Sequence, residues 1–156
     1  MMLKDKNYIA NPFSTGDGGG HFENNVQTAF VILMLTGGFA PCLPNFQITK
    51  IKLQGKYQGY ESDDLIVHTK DNQTNRETKL LCQIKHSIRI TKSNEPFVKS
   101  LRAAWRDFNN SKIFSAEAGD RIAILSGPLS STDNRSIIPL LELARHSEDE
   151  KDFNLK

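Results

Sequence analysis

Hydrophobic residues recur with two different periods along this chain, and the order of these patterns constrains the fold more than any other feature. A spacing of three to four residues is typical of helices, and strict alternation is typical of strands. Their order predicts an α/β fold with a mixed central sheet flanked by helices. The expected elements are a helix at 21–35, strands at 48–54, 63–68 and 80–86, a helix at 95–108, a strand at 121–127 and a helix at 136–145.

Segments unlike these patterns lie at both ends of the chain. The glycine-rich stretch 11–20 predicts a loop, so we expect residues 1–20 to form a flexible N-terminal segment. Residues 21–146 then form one globular domain. Residues 147–156 are charged and predict a tail, or the start of a linker to a further domain.

Several residues are expected to be buried. The strand Arg121–Gly127 lacks alternation, which favours burial on both faces. Cys42 and Cys82 are expected to be buried hydrophobic residues. The second helix carries a stripe that we expect to face the core, formed by Phe97, Leu101, Ala104, Trp105 and Phe108.

Composition excludes several classes of protein. The chain has 156 residues, of which 38% are hydrophobic, enough for one core. Its 2 cysteines cannot form a disulfide framework. The most apolar run, 26–35, is about half of the ~20 residues that a membrane-spanning helix needs. These observations exclude a secreted miniprotein, a membrane protein and a coiled coil, and they predict a cytoplasmic domain.

Polar residues gather where the second and third predicted strands meet. Asp64 precedes the apolar run of one strand, and Gln83 and Lys85 are two residues apart in the other, so both point to one face. Magnesium prefers oxygen ligands, which the Asp64 carboxylate, the Gln83 amide and the Ile84 carbonyl supply. Lys85 would then hold or deprotonate an attacking water, or stabilise charge on a phosphate.

Two further carboxylates could belong to this site. Glu23, in the first turn of the first helix, is predicted to reach the same cleft and assist in binding the metal or its water. Asp63 is the alternative to Asp64 as a metal ligand, although strand alternation predicts that it faces the other side. Spacing alone is a weak signal, since Gln83 and Lys85 by themselves would more often form a solvated strand face.

These residues resemble the PD-(D/E)xK nuclease superfamily, in the order Glu23, Asp64, Gln83-Ile84-Lys85. The resemblance is to its restriction-endonuclease-like (Mrr-like) branch, and within it to the N-terminal double-stranded-DNA endonuclease domain of bacterial antiphage defence effectors. It covers roughly residues 11–145. The segments that carry it are Asn11-Pro-Phe-Ser-Thr-Gly, Gly18-Gly-Gly-His-Phe-Glu23, Met34 to Pro44, Asp63-Asp-Leu-Ile-Val67 and Gln83-Ile-Lys-His-Ser87.

The resemblance implies a fold and an activity. The fold is an αβββαβ restriction-endonuclease-like core. The activity is Mg²⁺-dependent cleavage of double-stranded DNA with low sequence specificity, for which Mn²⁺ can substitute. The implied partners are copies of the same chain and a regulatory sensor or ATPase domain. Gln83 departs from the family, whose third position is most often acidic, and thereby removes one negative charge from the site.

Two other functions remain open. A non-cleaving module that binds DNA or assembles with copies of itself would keep the fold with a weakened metal site. A sequence-specific restriction enzyme would cut DNA into defined fragments. Basic residues predicted to follow DNA phosphates in any of these are Lys50, Lys52, Arg89, Lys92, Lys99, Arg102 and Arg106.

Overall fold

A computed structural model describes residues 18–147 and Lys151. Residues 1–17 of the predicted N-terminal segment 1–20 and most of the predicted tail 147–156 lie outside the described residues. The helices and strands, in chain order, are α1 (Gly18–Leu35), β1 (Gln47–Leu53), a 3-10 turn (Gly55–Gln58), β2 (Leu65–Lys70), β3 (Glu77–Lys85), α2 (Glu95–Phe108), β4 (Arg121–Ser126) and α3 (Ser131–Arg145).

The four strands form one mixed sheet in the order β1-β2-β3-β4. β1 and β3 each pair with β2 in antiparallel fashion, as expected for strands joined by short connections. β4 pairs with β3 in parallel, because the intervening α2 returns the chain to the same end of the sheet. The predicted α/β fold with a mixed sheet flanked by helices is confirmed.

Alternate residues of β2 and β3 build two apolar clusters on opposite faces of the sheet. Leu65, Val67 and Cys82 belong to the cluster that packs under α1. Ile66 and Leu81, both fully buried, belong to the other cluster. The period of two therefore sends Gln83 and Lys85 to the second face, the one on which Leu81 lies.

Two helices begin earlier than their patterns predict. Gly18–Gly20 form the first residues of α1 instead of a loop, because the helix penalty of glycine, about 1 kcal/mol per residue, is small beside the packing of the rest of α1. α3 begins at Ser131 and not at 136. The Ser130 side chain caps it by accepting a hydrogen bond from the Asp133 N–H.

Three expectations about burial are wrong. β4 is only partly buried, because it is an edge strand with a neighbour on one side. The stripe on α2 is largely exposed, with 67% of Trp105 and 52% of Phe108 accessible. Cys42 is exposed in the connection before β1, where its φ is 66°. Cys82 is buried as predicted, and burial raises the pKa of its thiol to about 12.

The helices can be compared with the length and hydrophobicity that a membrane span requires. Across residues 18–147, no helix has the length and apolar character needed to cross a bilayer.

Candidate metal-dependent active site

Asp64 lies just before β2 and joins that strand to the end of β3. Its Oδ2 accepts a hydrogen bond from the Ile84 N–H at 2.6 Å and one from Lys85 Nζ at 2.8 Å. The last paired residues of the two strands are Leu65 and Cys82. The carboxylate thus satisfies a backbone donor that lies beyond the β2–β3 ladder, on the part of β3 that pairs with β4 alone.

The Lys85 ammonium lies between two oxygens. Besides its 2.8 Å ion pair with Asp64, Lys85 Nζ donates to the Ile84 carbonyl oxygen at 3.0 Å. The Lys85 side chain is 30% exposed and that of Asp64 14%, so the pair lies at the wall of a cleft rather than in the core. Three of the residues predicted to form the site are therefore in direct contact around one positive charge.

Gln83 is brought to the same place, but its amide nitrogen faces a different carboxylate. Nε2 donates to Asp63 Oδ1 at 3.1 Å and to the Glu61 carbonyl oxygen at 3.3 Å. Asp63 therefore lies on the same side as Asp64, and the expectation that it faces the other side is wrong. Both aspartates precede Leu65, where β2 begins, so strand alternation does not apply to Asp63.

These side chains line a cleft of about 470 Å³ between the end of the sheet and the first turn of α2. The helix contributes Glu95 and Lys99, which form an ion pair at 2.7 Å. The hydrogen bond from Lys99 lowers the pKa of Glu95. The lining residues are Asp63, Asp64, Gln83, Lys85, Glu95, Pro96 and Lys99.

Glu23 lies beside the cleft and does not line it. Its Oε1 accepts hydrogen bonds from Gln27 at 2.9 Å and from Gln54 at 3.1 Å. The same Gln27 amide donates to the Asp64 carbonyl oxygen at 3.0 Å. Glu23 is thus linked to Asp64 through a buried glutamine on its own helix, four residues further along. This contact positions the backbone of Asp64 rather than adding a carboxylate to the cleft.

The predicted DNA-binding residues fall into three places. Lys99, Arg102 and Arg106 share an exposed face of α2. Lys50 and Lys52 lie on β1, where Lys52 Nζ is 5.2 Å from the centre of the Tyr60 ring. Arg89 and Lys92 are exposed in the connection between β3 and α2.

Some residues around the cleft were not predicted from the sequence. Glu95 and Glu61 carry no motif, and their position depends on how α2 packs beside the sheet. Gln27 lies one helical turn after Glu23, and this spacing was the available signal for it. Lys56 lies on the 3-10 turn after β1, which has no periodic pattern.

The oxygens in this cleft suit a hard divalent cation. Among residues 18–147 and 151, no three His, Cys, Asp or Glu side chains are grouped so as to hold a metal. The Asp64 carboxylate and the Ile84 carbonyl nevertheless already contact one cation, the Lys85 ammonium. Magnesium keeps several waters and needs few protein ligands, so the donor set fits it.

Comparisons with family models, with curated proteins and with solved structures found no match for this chain. The chemistry of the cleft is therefore the observation that bears on function. Its components are three carboxylates, a backbone carbonyl, an amide and two ammonium groups, held by the ends of two strands and one helix.

Proposed function

We propose that this chain is a metal-dependent endonuclease that hydrolyses double-stranded DNA with little sequence preference. The observation that carries the proposal is the contact of Lys85 Nζ with both Asp64 Oδ2, at 2.8 Å, and the Ile84 carbonyl oxygen, at 3.0 Å. An acid, a carbonyl and a lysine around one point are the groups that phosphodiester hydrolysis needs.

The order of elements supports membership of the PD-(D/E)xK superfamily. α1, three antiparallel strands, α2 and a parallel β4 follow the αβββαβ order of the restriction-endonuclease-like core. Asp64 before β2 and Gln83-Ile84-Lys85 at the end of β3 occupy the positions that the resemblance implies. The proposal includes the rest of that resemblance: an antiphage effector module in the cytoplasm, acting as a homo-oligomer under a sensor or ATPase domain.

Each residue has a defined task in this proposal. Asp64 and the Ile84 carbonyl hold Mg²⁺ or Mn²⁺, with Gln83 as a further oxygen ligand once its amide turns from Asp63. When bound, the metal neutralises the phosphate and stabilises the leaving oxygen. Lys85, freed from Asp64, orients the attacking water and offsets negative charge on the phosphate. Glu23 acts through Gln27 by fixing the backbone of Asp64.

A non-cleaving DNA-binding or assembly module is the second candidate. It is favoured by the single carboxylate contact of Lys85 and by the absence, among the described residues, of a three-residue acidic or histidine group. Such a module would retard DNA in a gel without cutting it in either Mg²⁺ or Mn²⁺.

Plasmid digestion with Lys85→Ala tests the proposal. Wild type should convert supercoiled plasmid to random fragments with Mg²⁺, and a chelator should stop it. Lys85→Ala should lose about 10²–10⁴-fold in rate, the usual contribution of a positioned proton-transfer group, while its melting temperature stays close to that of wild type. Lys112→Ala removes an exposed charge elsewhere and should cut normally.

Three outcomes decide between the candidates. Full activity of Lys85→Ala contradicts the role of that residue. Binding without cleavage in both metals supports the non-cleaving module. Defined fragments from a mixed DNA library identify a sequence-specific enzyme instead.

A further inference from the structure

A second cavity, of about 310 Å³, adjoins the cleft and is predominantly basic. Gln83 and Lys99 line both cavities, so the two share a wall. Four cationic side chains and one carboxylate line this second cavity, which we call the basic pocket. Its lining residues are Lys56, Glu61, Gln83, Lys99, Arg102, Ala103 and Arg106.

Two elements bring the cations together. Lys99, Arg102 and Arg106 recur at intervals of three and four residues on α2 and therefore share one face. Lys56 comes from the 3-10 turn after β1. This turn lies tightly on the sheet, because a Cβ on Gly55 would be 2.2 Å from Ile66 Cδ1. The close approach fixes where Lys56 leaves the backbone.

The positive charge of the basic pocket is only partly neutralised. Arg106 pairs with Glu61 at 3.5 Å, and Lys99 pairs with Glu95 at 2.7 Å. Among residues 18–147, the ion pairs involve neither Arg102 nor Lys56. Two like charges facing one cavity repel each other, and a bound anion removes that repulsion.

The shared wall relates the basic pocket to the chemistry of the cleft. Gln83 is 7% exposed, and its amide nitrogen donates to Asp63 on the cleft side and to the Glu61 carbonyl beside the pocket. A polynucleotide with one phosphate in the cleft can therefore place a neighbouring phosphate in the basic pocket. A compound with a single phosphate can occupy only one of the two.

We propose that the basic pocket binds a backbone phosphate of double-stranded DNA adjacent to the phosphate that lies in the cleft. This inference rests on the proposed nuclease function and deepens it. It makes Arg102 and Lys56 the main phosphate ligands, with Lys99 and Arg106 supporting them. The pocket then selects polynucleotides over small phosphodiesters, and contributes to binding rather than to the chemical step.

Binding of a fluorescein-labelled DNA duplex in the presence of EDTA tests this inference without any cleavage. Arg102→Ala and Lys56→Ala should each bind the duplex about tenfold more weakly than wild type. In each variant the association constant should also fall less steeply with salt, the negative slope of log K against log salt being smaller in magnitude by about 0.9. Arg135→Ala removes an exposed arginine from α3 and should bind like wild type. Arg135→Ala should also hydrolyse bis(p-nitrophenyl) phosphate at the wild-type rate, because α3 does not line either cavity.

The result also separates the two proposals. If the pocket variants bind duplex as tightly as Arg135→Ala, or if wild type fails to bind it, the pocket assignment is wrong even where plasmid is cut. If binding depends on Arg102 and Lys56 but plasmid is never cut, the pocket assignment stands and the nuclease assignment fails.

Discussion

Two aspartates hold opposite ends of the segment 61–64, and they do so in different ways. Asp107 of α2 is 1% exposed, and its two oxygens accept hydrogen bonds from the Glu61 N–H at 3.0 Å and the Ser62 N–H at 2.7 Å. Asp64 instead receives both of its contacts, from the Ile84 N–H and from Lys85, on Oδ2 alone. One carboxylate is enclosed by backbone, and the other faces a cleft.

The difference separates a structural carboxylate from one available to a ligand. Asp107 has no oxygen left for an ion, because both oxygens bind backbone donors in a buried place. Asp120 resembles Asp107 in that each of its oxygens accepts from a backbone donor, the Lys79 N–H or the Ser115 N–H, and it is 3% exposed, although Lys79 Nζ also lies 3.3 Å from Oδ2. Asp64 instead has a backbone donor on Oδ2 alone, and its second partner is the partly exposed Lys85 ammonium, which a metal ion can replace without leaving a backbone donor unpaired.

Removing Asp107 should produce the largest effect on stability. Asp107→Ala leaves the N–H groups of Glu61 and Ser62 without their acceptors, at about 1–3 kcal/mol each. We therefore expect the free energy of unfolding, measured with urea, to fall by about 2–6 kcal/mol. Asp71→Ala, in the exposed β2–β3 turn, should lose much less. Equal losses of unfolding free energy in the two variants would show that the buried aspartate stabilises the fold no more than the one in the turn.

A smaller effect on the free energy of unfolding should come from the titration of His68. This residue lies within β2, between Lys50 and Lys79 on the neighbouring strands. Burial lowers the pKa of His68 below 6.5, and Lys52, Lys79 and Lys50 lower it further, against the opposing effect of Glu77. As the pH falls through 6.5, the unfolded chain binds a proton that the folded protein does not. Stability should therefore decrease on acidification.

Urea unfolding above and below pH 6.5 measures this effect. His68→Gln should show a flatter dependence of unfolding free energy on pH than wild type, because the residue that titrates is gone. The same slope in both proteins would show that another group is responsible. The result sharpens the comparison, since it tests whether a half-buried titratable residue within β2 contributes to stability independently of the aspartates.

Replacing Trp105 should produce the smallest effect on the free energy of unfolding, although its spacing along α2 predicts a core residue. It is 67% exposed and stacks on Phe108 with ring centres 6.0 Å apart. Trp105→Ala should lower the free energy of unfolding by about 1 kcal/mol or less, as is usual for surface substitutions. A loss comparable to that of Asp107→Ala, in the same urea experiment, would show that the tryptophan is buried in solution.

Periodicity predicted the sheet well because burial acts residue by residue along a strand. Cys82 and Ile84 face the cluster under α1, and Gln83 and Lys85 face the other way, as alternation requires. Alternation failed at Asp63, which precedes the strand. It also failed to place Trp105, because a helical stripe indicates which residues share a face and not whether another element covers that face.

Contacts between distant parts of the chain were not predictable from local patterns. Asp107 and Asp64 both look like ordinary aspartates, and their partners lie 45 and 20 residues away. Glu23 was expected in the cleft, but its distance from the other carboxylates is set by the packing of α1 and by Gln27. The basic pocket likewise exists because a short turn brings Lys56 against α2.

Manganese binding to wild type and to Asp64→Asn, measured by isothermal titration calorimetry, tests the central claim most directly. Wild type should bind Mn²⁺ at a single site, and Asp64→Asn should bind it about tenfold more weakly or worse, because the carboxylate that pairs with Lys85 has lost its charge. Asp71→Asn, at the far end of β2, should bind as wild type does. Unchanged Mn²⁺ affinity in Asp64→Asn would contradict a metal site formed by Asp64 and the Ile84 carbonyl.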